Sequence, residues 1–269
     1  MKIFKSFNVL NKEINIDESI GFVPTMGSLH DGHLSLIKIA KKQSKKILVS
    51  IFVNPSQFND KKDFNKYPRN LNKDISILKK LKVNYLFLPT RKEIYKKGIK
   101  KKLSISDKDK ILCAKYRKGH FEGVLAVVSR FIENIRPKYL YLGEKDYQQL
   151  YLIKKYLQHK FETRVIACKT VRNKRKLPLS SRNKLLSNTS LSKCEKISKL
   201  LFNFNYRISI NFKNIKMLNY YRSKIIKLCD KIEYFEIRNL TNLSKKISKK
   251  NFKIFIAYKS EKVRLIDNV

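Results

Sequence analysis

His30 and His33 close the segment Pro24-Thr25-Met26-Gly27-Ser28-Leu29-His30-Asp31-Gly32-His33, which leaves one apolar stretch and runs into an amphipathic one. Gly27 and Gly32 carry no Cβ, so the backbone there can pass close to a ligand. His33 falls where the following helix is expected to begin. Its imidazole, the unpaired N–H groups of the first turn and the positive end of the helix dipole would then converge on one point. That combination suits a phosphate group. The segment has neither the Gly-Lys-Ser/Thr ending of a Walker loop nor a dinucleotide fingerprint.

Four further clusters carry polar chemistry. Asn54 and Gln57, in Asn54-Pro55-Ser56-Gln57-Phe58, offer both donors and acceptors, as a hydroxy acid would require. Alone, that segment reads as a turn, and it gains meaning beside the histidine loop. Arg117, ahead of Lys118-Gly119-His120-Phe121-Glu122-Gly123, could hold a carboxylate or a phosphate. A helix N-cap with a surface Arg is an equal reading. In Gly143-Glu144-Lys145-Asp146-Tyr147-Gln148-Gln149, Gly143 permits a turn and Lys145 can neutralise phosphate. Asp146 can take a ribose hydroxyl or a hydrated magnesium ion. Gln149 follows one helical turn later, facing the same cleft. Leu179-Ser180-Ser181-Arg182-Asn183 puts two hydroxyls and a cation in a basic loop, suited to clamping a triphosphate or to a solvated link between domains. Cys113, Cys168, Cys194 and Cys229 are too scattered for a zinc site and read as reduced thiols. No metal ligands can be assigned.

These clusters need elements to hold them. Strands are expected at 20–23, 46–53, 83–89, 139–142 and 163–168. Helices are expected from Leu34, over Asn70–Leu81, over Gly123–Ile135 and over Asp146–Gln158. Between Arg91 and Lys118 the pattern is irregular. Alternation at this spacing gives an α/β fold with a parallel sheet covered on both faces, whose strand C-terminal ends share one edge. The boundary is placed at 172/173. Beyond it a smaller α+β domain is expected, with strands around Tyr234–Ile237 and Phe252–Ala257 and a solvated loop from Ser244 to Lys250.

The 269 residues, 42% hydrophobic, suffice for a buried core, and the net charge is +41. Such a charge suggests a nucleic-acid partner. Of the 62 cationic residues, however, only 13 are Arg, and the lysines are spread along the whole chain. With Asn and Ile abundant and Trp absent, compositional drift under A/T-rich coding accounts for the charge better than a polyanion does. An RNA-binding platform would also need clustered Arg and exposed aromatics. No apolar run reaches the roughly 18 residues of a membrane span. The N-terminus lacks a signal-peptide pattern, so a cytoplasmic protein is expected.

The His-x-Gly-His ending resembles the "HIGH" signature of nucleotidyltransferases. Taken in order, PTMGSLHDGH, VSIFVNPSQF, DFNKYPR, GHFEGV, LGEKDYQQL, TVR followed by LSSRN, and RLIDN (Arg264 to Asn268) resemble the pantothenate synthetase family, the pantoate–β-alanine ligases, over nearly the whole chain. The resemblance implies a Rossmann-like N-terminal domain with a smaller C-terminal lid, a homodimer, and ATP with Mg2+. It implies the substrates pantoate and β-alanine, joined through a pantoyl adenylate. It places Met26, Gly27, Ser28, Leu29, His30, Asp31, Gly32, His33, Gly143, Glu144, Lys145, Asp146, Val171, Leu179, Ser180, Ser181 and Arg182 at ATP. His33, His30 and Lys145 are the implied catalytic groups. Gln57, Gln149, Asn54 and Arg117 are the implied pantoate side. Two departures stand out. Asn173-Lys174-Arg175-Lys176 replaces an acidic, Gly-containing segment, and Pro178-Leu179 replaces Ala-Met. Both are expected to affect lid motion rather than reaction class. A related adenylyltransferase, the main rival, would need no Gln57–Gln149 pair.

Overall fold

The computed structural model describes residues 1–14, 19–95 and 103–269. Part of the irregular segment after Arg91 lies outside them. The chain divides into two compact units, Met1–Lys169 and Thr170–Val269.

The first unit runs β1 (Lys2–Phe4), α1 (Phe7–Glu13), β2 (Ile20–Thr25), α2 (Asp31–Gln43), β3 (Lys46–Ile51), α3 (Lys61–Lys66) and α4 (Leu71–Lys80). It continues through β4 (Tyr85–Phe87), α5 (Arg91–Ile94), α6 (Leu112–Tyr116), α7 (His120–Ile135), β5 (Tyr139–Gly143), α8 (Tyr147–Ile153) and β6 (Arg164–Cys168). Its six strands form one parallel sheet in the order β1-β4-β3-β2-β5-β6. Alternation along β2 divides the core. Val23 joins Val49, Leu86, Ile37, Ala40 and Leu78 on the α2 and α4 face. Phe22 turns to the other face and meets Phe131 of α7 edge-on at 5.4 Å. Phe7 of α1 packs on Phe87 at 4.7 Å there. Burying each such side chain contributes about 1.5–3 kcal/mol.

Several expected boundaries move for local reasons. β3 ends two residues early, because Asn54 caps a 3-10 turn over Pro55–Gln57 and bends the chain away. The helix expected from Gly123 starts at His120, after a left-handed Gly119 at φ 76°. The helix after β5 is split into a 3-10 turn over Glu144–Asp146, α8, and a π-helical turn over Lys154–Gln158. β1, α1 and α3 were not expected; β1 is three residues long with Ile3 exposed, so it shows no alternation to read.

The second unit contains α9 (Asn188–Ile210), α10 (Leu218–Ile226), β7 (Lys231–Arg238), β8 (Lys253–Ser260) and β9 (Val263–Asn268). The strands form an antiparallel sheet, β7-β8-β9, packed with the helices around Phe204, Leu201, Ile254 and Ile256. No helix among the described residues is long and apolar enough to cross a membrane.

Candidate active site

After β2 the chain winds to β3 and β4 on one side, whereas β5 and β6 lie on the other. Loops leaving β2 and β5 therefore diverge at their C-terminal ends and open a crevice, the place where such sheets bind ligands. Met26–His33 follows β2 and Gly143–Asp146 ends β5, so both expected nucleotide segments meet this edge.

The β2 loop is built by side chains that take up its backbone. Thr25 Oγ1 donates to the Ser50 carbonyl at 2.8 Å and accepts from Gly27 N–H at 3.2 Å. Gly27 and Ser28 both have positive φ, 78° and 51°, a conformation that costs least for glycine. The buried Asp74 of α4 accepts from the N–H groups of Ser28 and Leu29, each at 2.8 Å.

The first turn of α2 departs from expectation. His30 is the N-cap, and its Nδ1 accepts from Gly32 N–H at 3.1 Å. His33 Nδ1 accepts from His30 N–H at 3.4 Å. The N–H groups of His33 and Leu34 bond the His30 carbonyl at 2.8 and 3.1 Å. Two of the first-turn N–H groups expected to face a phosphate, those of Gly32 and His33, are thus bonded within the turn. Because each Nδ1 accepts, each neutral ring carries its proton on Nε2. The turn therefore carries two imidazole N–H groups, on rings whose centroids lie 4.1 Å apart. Gly32 belongs to the helix and needs no special backbone conformation.

Burial first, then the charges of His30 and Lys145, lower the pKa of His33 to about 3. It is a neutral hydrogen-bond donor near pH 7. Lys145, at the end of β5, is close enough to His33 to oppose its protonation. Lys145 Nζ lies 3.6 Å from the half-exposed Asp146 carboxylate. A Cβ on Gly143 would meet nothing within 4 Å. Of the other expected residues in this region, Met26 and Glu144 are half-buried and Asp31 is exposed. Leu29 packs into the core, so its side chain faces away from any ligand.

The pantoate-side residues form a second cluster. Asn54 is fully buried. Its Oδ1 accepts from Ser56 N–H at 3.2 Å, Ser56 Oγ at 3.0 Å and Tyr95 Oη at 2.7 Å, and its Nδ2 donates to the Gly123 carbonyl at 3.3 Å. The amide expected to read a hydroxy acid thus holds the loop through Oδ1 and one Nδ2–H. Gly123 permits the close approach, since a Cβ there would lie 2.7 Å from the Ser56 carbonyl. Arg117 donates to the Gln57 carbonyl at 3.0 Å and to His120 Nε2 at 2.9 Å. His120 Nδ1 donates to the same carbonyl at 2.7 Å. These two residues clasp the backbone of Gln57. Gln149 is half-buried in the first turn of α8. Its neighbour Gln148 is buried, accepting from Ala114 N–H and donating to the carbonyls of Asp109 and Ile111. Tyr95, Asp74 and Gln148 were not singled out from sequence; a buried polar residue inside an otherwise ordinary helix or loop gives no local signal. No group of three His, Cys, Asp or Glu residues among the described residues could hold a metal ion.

In the second unit, residues 171–179 form a hairpin rather than a solvated link. Leu179 N–H bonds the Val171 carbonyl at 3.0 Å, and Arg172 bridges to Pro178. Asn173 Oδ1 accepts from the N–H groups of Arg175 and Leu177, and its Nδ2 donates to Glu195. Arg172 makes a two-pronged pair with the buried Asp267 at 2.9 and 2.6 Å. TVR and RLIDN thus contribute the two halves of one ion pair. Ser180 Oγ caps the next turn by accepting Arg182 N–H at 3.3 Å, and Ser181 is buried.

A family model for pantoate–β-alanine ligase matches residues 2–269. The chain belongs to that family. A pantothenate synthetase of Francisella tularensis subsp. mediasiatica is 43% identical over 269 residues, which cover 98% of this chain and 94% of that protein. Among solved structures, pantothenate synthetase from Thermus thermophilus matches with a TM-score of 0.91 at 29% identity, covering 100% of this chain and 99% of that one. Pantoate–β-alanine ligase from Francisella tularensis, solved with an ATP analogue ("Beta-gamma ATP") and β-alanine, matches with a TM-score of 0.87 at 39% identity, covering 100% and 97%. The family assigns the protein to the ligases of pantothenate biosynthesis.

Proposed function

We propose that this chain condenses pantoate with β-alanine through a pantoyl adenylate, releasing diphosphate and then AMP. A pantoate carboxylate oxygen attacks the α-phosphorus of ATP as the bond to the β-phosphate oxygen breaks. The β-alanine amine then attacks the acyl carbon, loses a proton and expels AMP. The observation that carries this reading is the pair of neutral Nε2–H imidazoles beside Lys145 at the sheet crevice. In-line phosphoryl transfer needs mainly positioning and charge neutralisation, and fixed N–H donors with one cation supply both. His33, His30 and Lys145 are the proposed catalytic groups, with His33 a donor rather than a nucleophile.

Met26–His33 and Gly143–Asp146 take the nucleotide, the open space over Gly143 fitting a bound group. On the family resemblance, Val171, Leu179, Ser180, Ser181 and Arg182 are also assigned to ATP, and the second unit to a lid. Magnesium enters with ATP as its phosphate complex. Gln57 and Gln149 take pantoate. Asn54 shapes that side, and Arg117, held with His120 against the Gln57 backbone, supplies a cation near pantoate and the phosphates. A homodimer in the cytoplasm, with no nucleic-acid partner, completes the reading.

The test is AMP release from ATP and magnesium, with pantoate and β-alanine supplied separately and together. AMP only with both, matched by pantothenate, is the expected outcome. Diphosphate exchange with pantoate alone but no amide would confine the chain to the first half-reaction. No turnover in any combination would overturn the assignment.

A further inference from the structure

Asp74 stands in the first turn of α4, where an acid on a solvated helix would face water and favour the dipole. It is instead 2% exposed. Both carboxylate oxygens point across to the β2 loop, Oδ2 accepting Ser28 N–H and Oδ1 accepting Leu29 N–H. A Cβ on Gly27 would lie 3.1 Å from Oδ2, so the glycine makes room for the carboxylate. The two amides it takes are that of Ser28, which with Gly27 makes the positive-φ pair, and that of Leu29, which directly precedes His30. Burying a carboxylate is costly unless several donors meet it. A site that keeps one here gains a fixed loop.

We propose that Asp74 is a positioning residue for the nucleotide end of the reaction: by holding the amides of Ser28 and Leu29 with its two oxygens, it fixes the left-handed turn that aims the His30–His33 pair. This rests on the reading that the pair meets ATP. The role needs two acceptors at one point. Asn keeps the shape but offers one acceptor and turns an NH2 group toward an amide N–H, leaving a buried donor unpaired. Glu keeps both acceptors on a longer arm.

The experiment compares wild type, Asp74→Asn, Asp74→Glu and the control Thr163→Val. Thr163 is buried in the same unit and donates to the Pro137 carbonyl just before β6, at the sheet edge away from the crevice. KM is measured for ATP, pantoate and β-alanine, with melting curves and 15N spectra of the histidine rings. For Asp74→Asn, KM for ATP should rise about 10–100-fold, the scale of misplacing a reacting group by an ångström. KM for the other two substrates should move less than about twofold. The rings of His30 and His33 should lose their uniform Nε2–H signature. Asp74→Glu should recover part of the ATP effect, and Thr163→Val should lower the melting temperature with KM for ATP unchanged. An Asp74→Asn variant with wild-type KM for ATP and unchanged ring spectra would overturn the proposal. So would one in which all three KM values rise together and Asp74→Glu gives no recovery. If wild type makes no pantothenate, the functional reading fails, and the ring spectra still decide whether Asp74 aims the histidines.

Discussion

The same side chain does opposite work in two loops of the first unit. In the β2 loop, the Nδ1 atoms of His30 and His33 accept from backbone N–H groups, so their Nε2–H edges face outward. In the loop before α7, His120 Nδ1 donates to the Gln57 carbonyl and its Nε2 is taken by Arg117. Its ring is turned inward at both ends. A histidine's type does not set its role; the group that meets Nδ1 does, because that contact fixes where the proton sits. The β2 loop turns backbone donors into side-chain donors placed further out. The α7 loop turns a side-chain donor and a guanidinium into a clamp on backbone.

The largest test of this contrast is His33→Ala. Removing one donor aimed at developing charge should lower kcat by about 10²–10³-fold while leaving KM for pantoate near wild type. Steady-state assays with ATP saturating decide it, and a near-normal kcat would remove His33 from the chemistry. His120→Phe should act differently. It frees the Gln57 carbonyl from one donor and takes one acceptor from the half-buried Arg117 guanidinium, a cost of about 1 kcal/mol in stability. KM for pantoate should rise about tenfold, with kcat changed less than in His33→Ala. If His120→Phe lowered kcat as far as His33→Ala does, the division between an outward and an inward histidine would be wrong.

The pH dependence of stability separates the two regions further. His33 keeps a folded-state pKa of about 3 against an ordinary value of 6.5. Between those values the unfolded chain holds a proton that the folded imidazole refuses. Its contribution to stability is therefore fully present above about pH 6.5 and declines as pH falls toward 3, the reverse of a histidine that gains a carboxylate partner. Melting curves at about pH 7.5 and about pH 5 should show a smaller drop for His33→Ala than for wild type. An equal drop would mean that the folded ring protonates as freely as the unfolded one.

Much of this arrangement is legible in the chain because its signals are local. Asn54 and Asn70 cap the turns they precede, and the run from Lys46 reads as a covered strand. The two loops at the sheet crevice follow from strand–helix alternation alone. What local pattern does not carry depends on distant partners. Arg117 reads as a cation suited to an anion, and its guanidinium also donates to a carbonyl 60 positions earlier. Asp74 looks like a first-turn acid, yet it serves amides 45 and 46 positions back. Arg172 and Asp267, 95 positions apart, sit in motifs that read separately as a basic loop and a chain end. The departures at Asn173–Lys176 and Pro178 are expected to affect lid motion. In place they make a hairpin, because Asn173 Oδ1 accepts from its own turn and Pro178, which lacks an N–H, stands opposite Arg172 where the cross-strand bonds run from Leu179 N–H to the Val171 carbonyl and from Asn173 N–H to the Leu177 carbonyl.

The smallest expected effect concerns the glycines, which divide along the same line as the histidines. Gly123 is required by the protein itself, since a Cβ would strike the Ser56 carbonyl. Gly143 is not: its φ of −78° suits any residue and a Cβ would point into open space. If that space is where nucleotide lies, Gly143→Ala should leave the melting temperature unchanged and raise KM for ATP by about three- to tenfold, the effect of one methyl group against a bound ligand. Gly123→Ala should instead lower stability, with its kinetic effect on pantoate. Equal KM values for ATP in wild type and Gly143→Ala would move the nucleotide off the end of β5. The crevice would then rest on the β2 loop alone, with Lys145 reaching over it from the side.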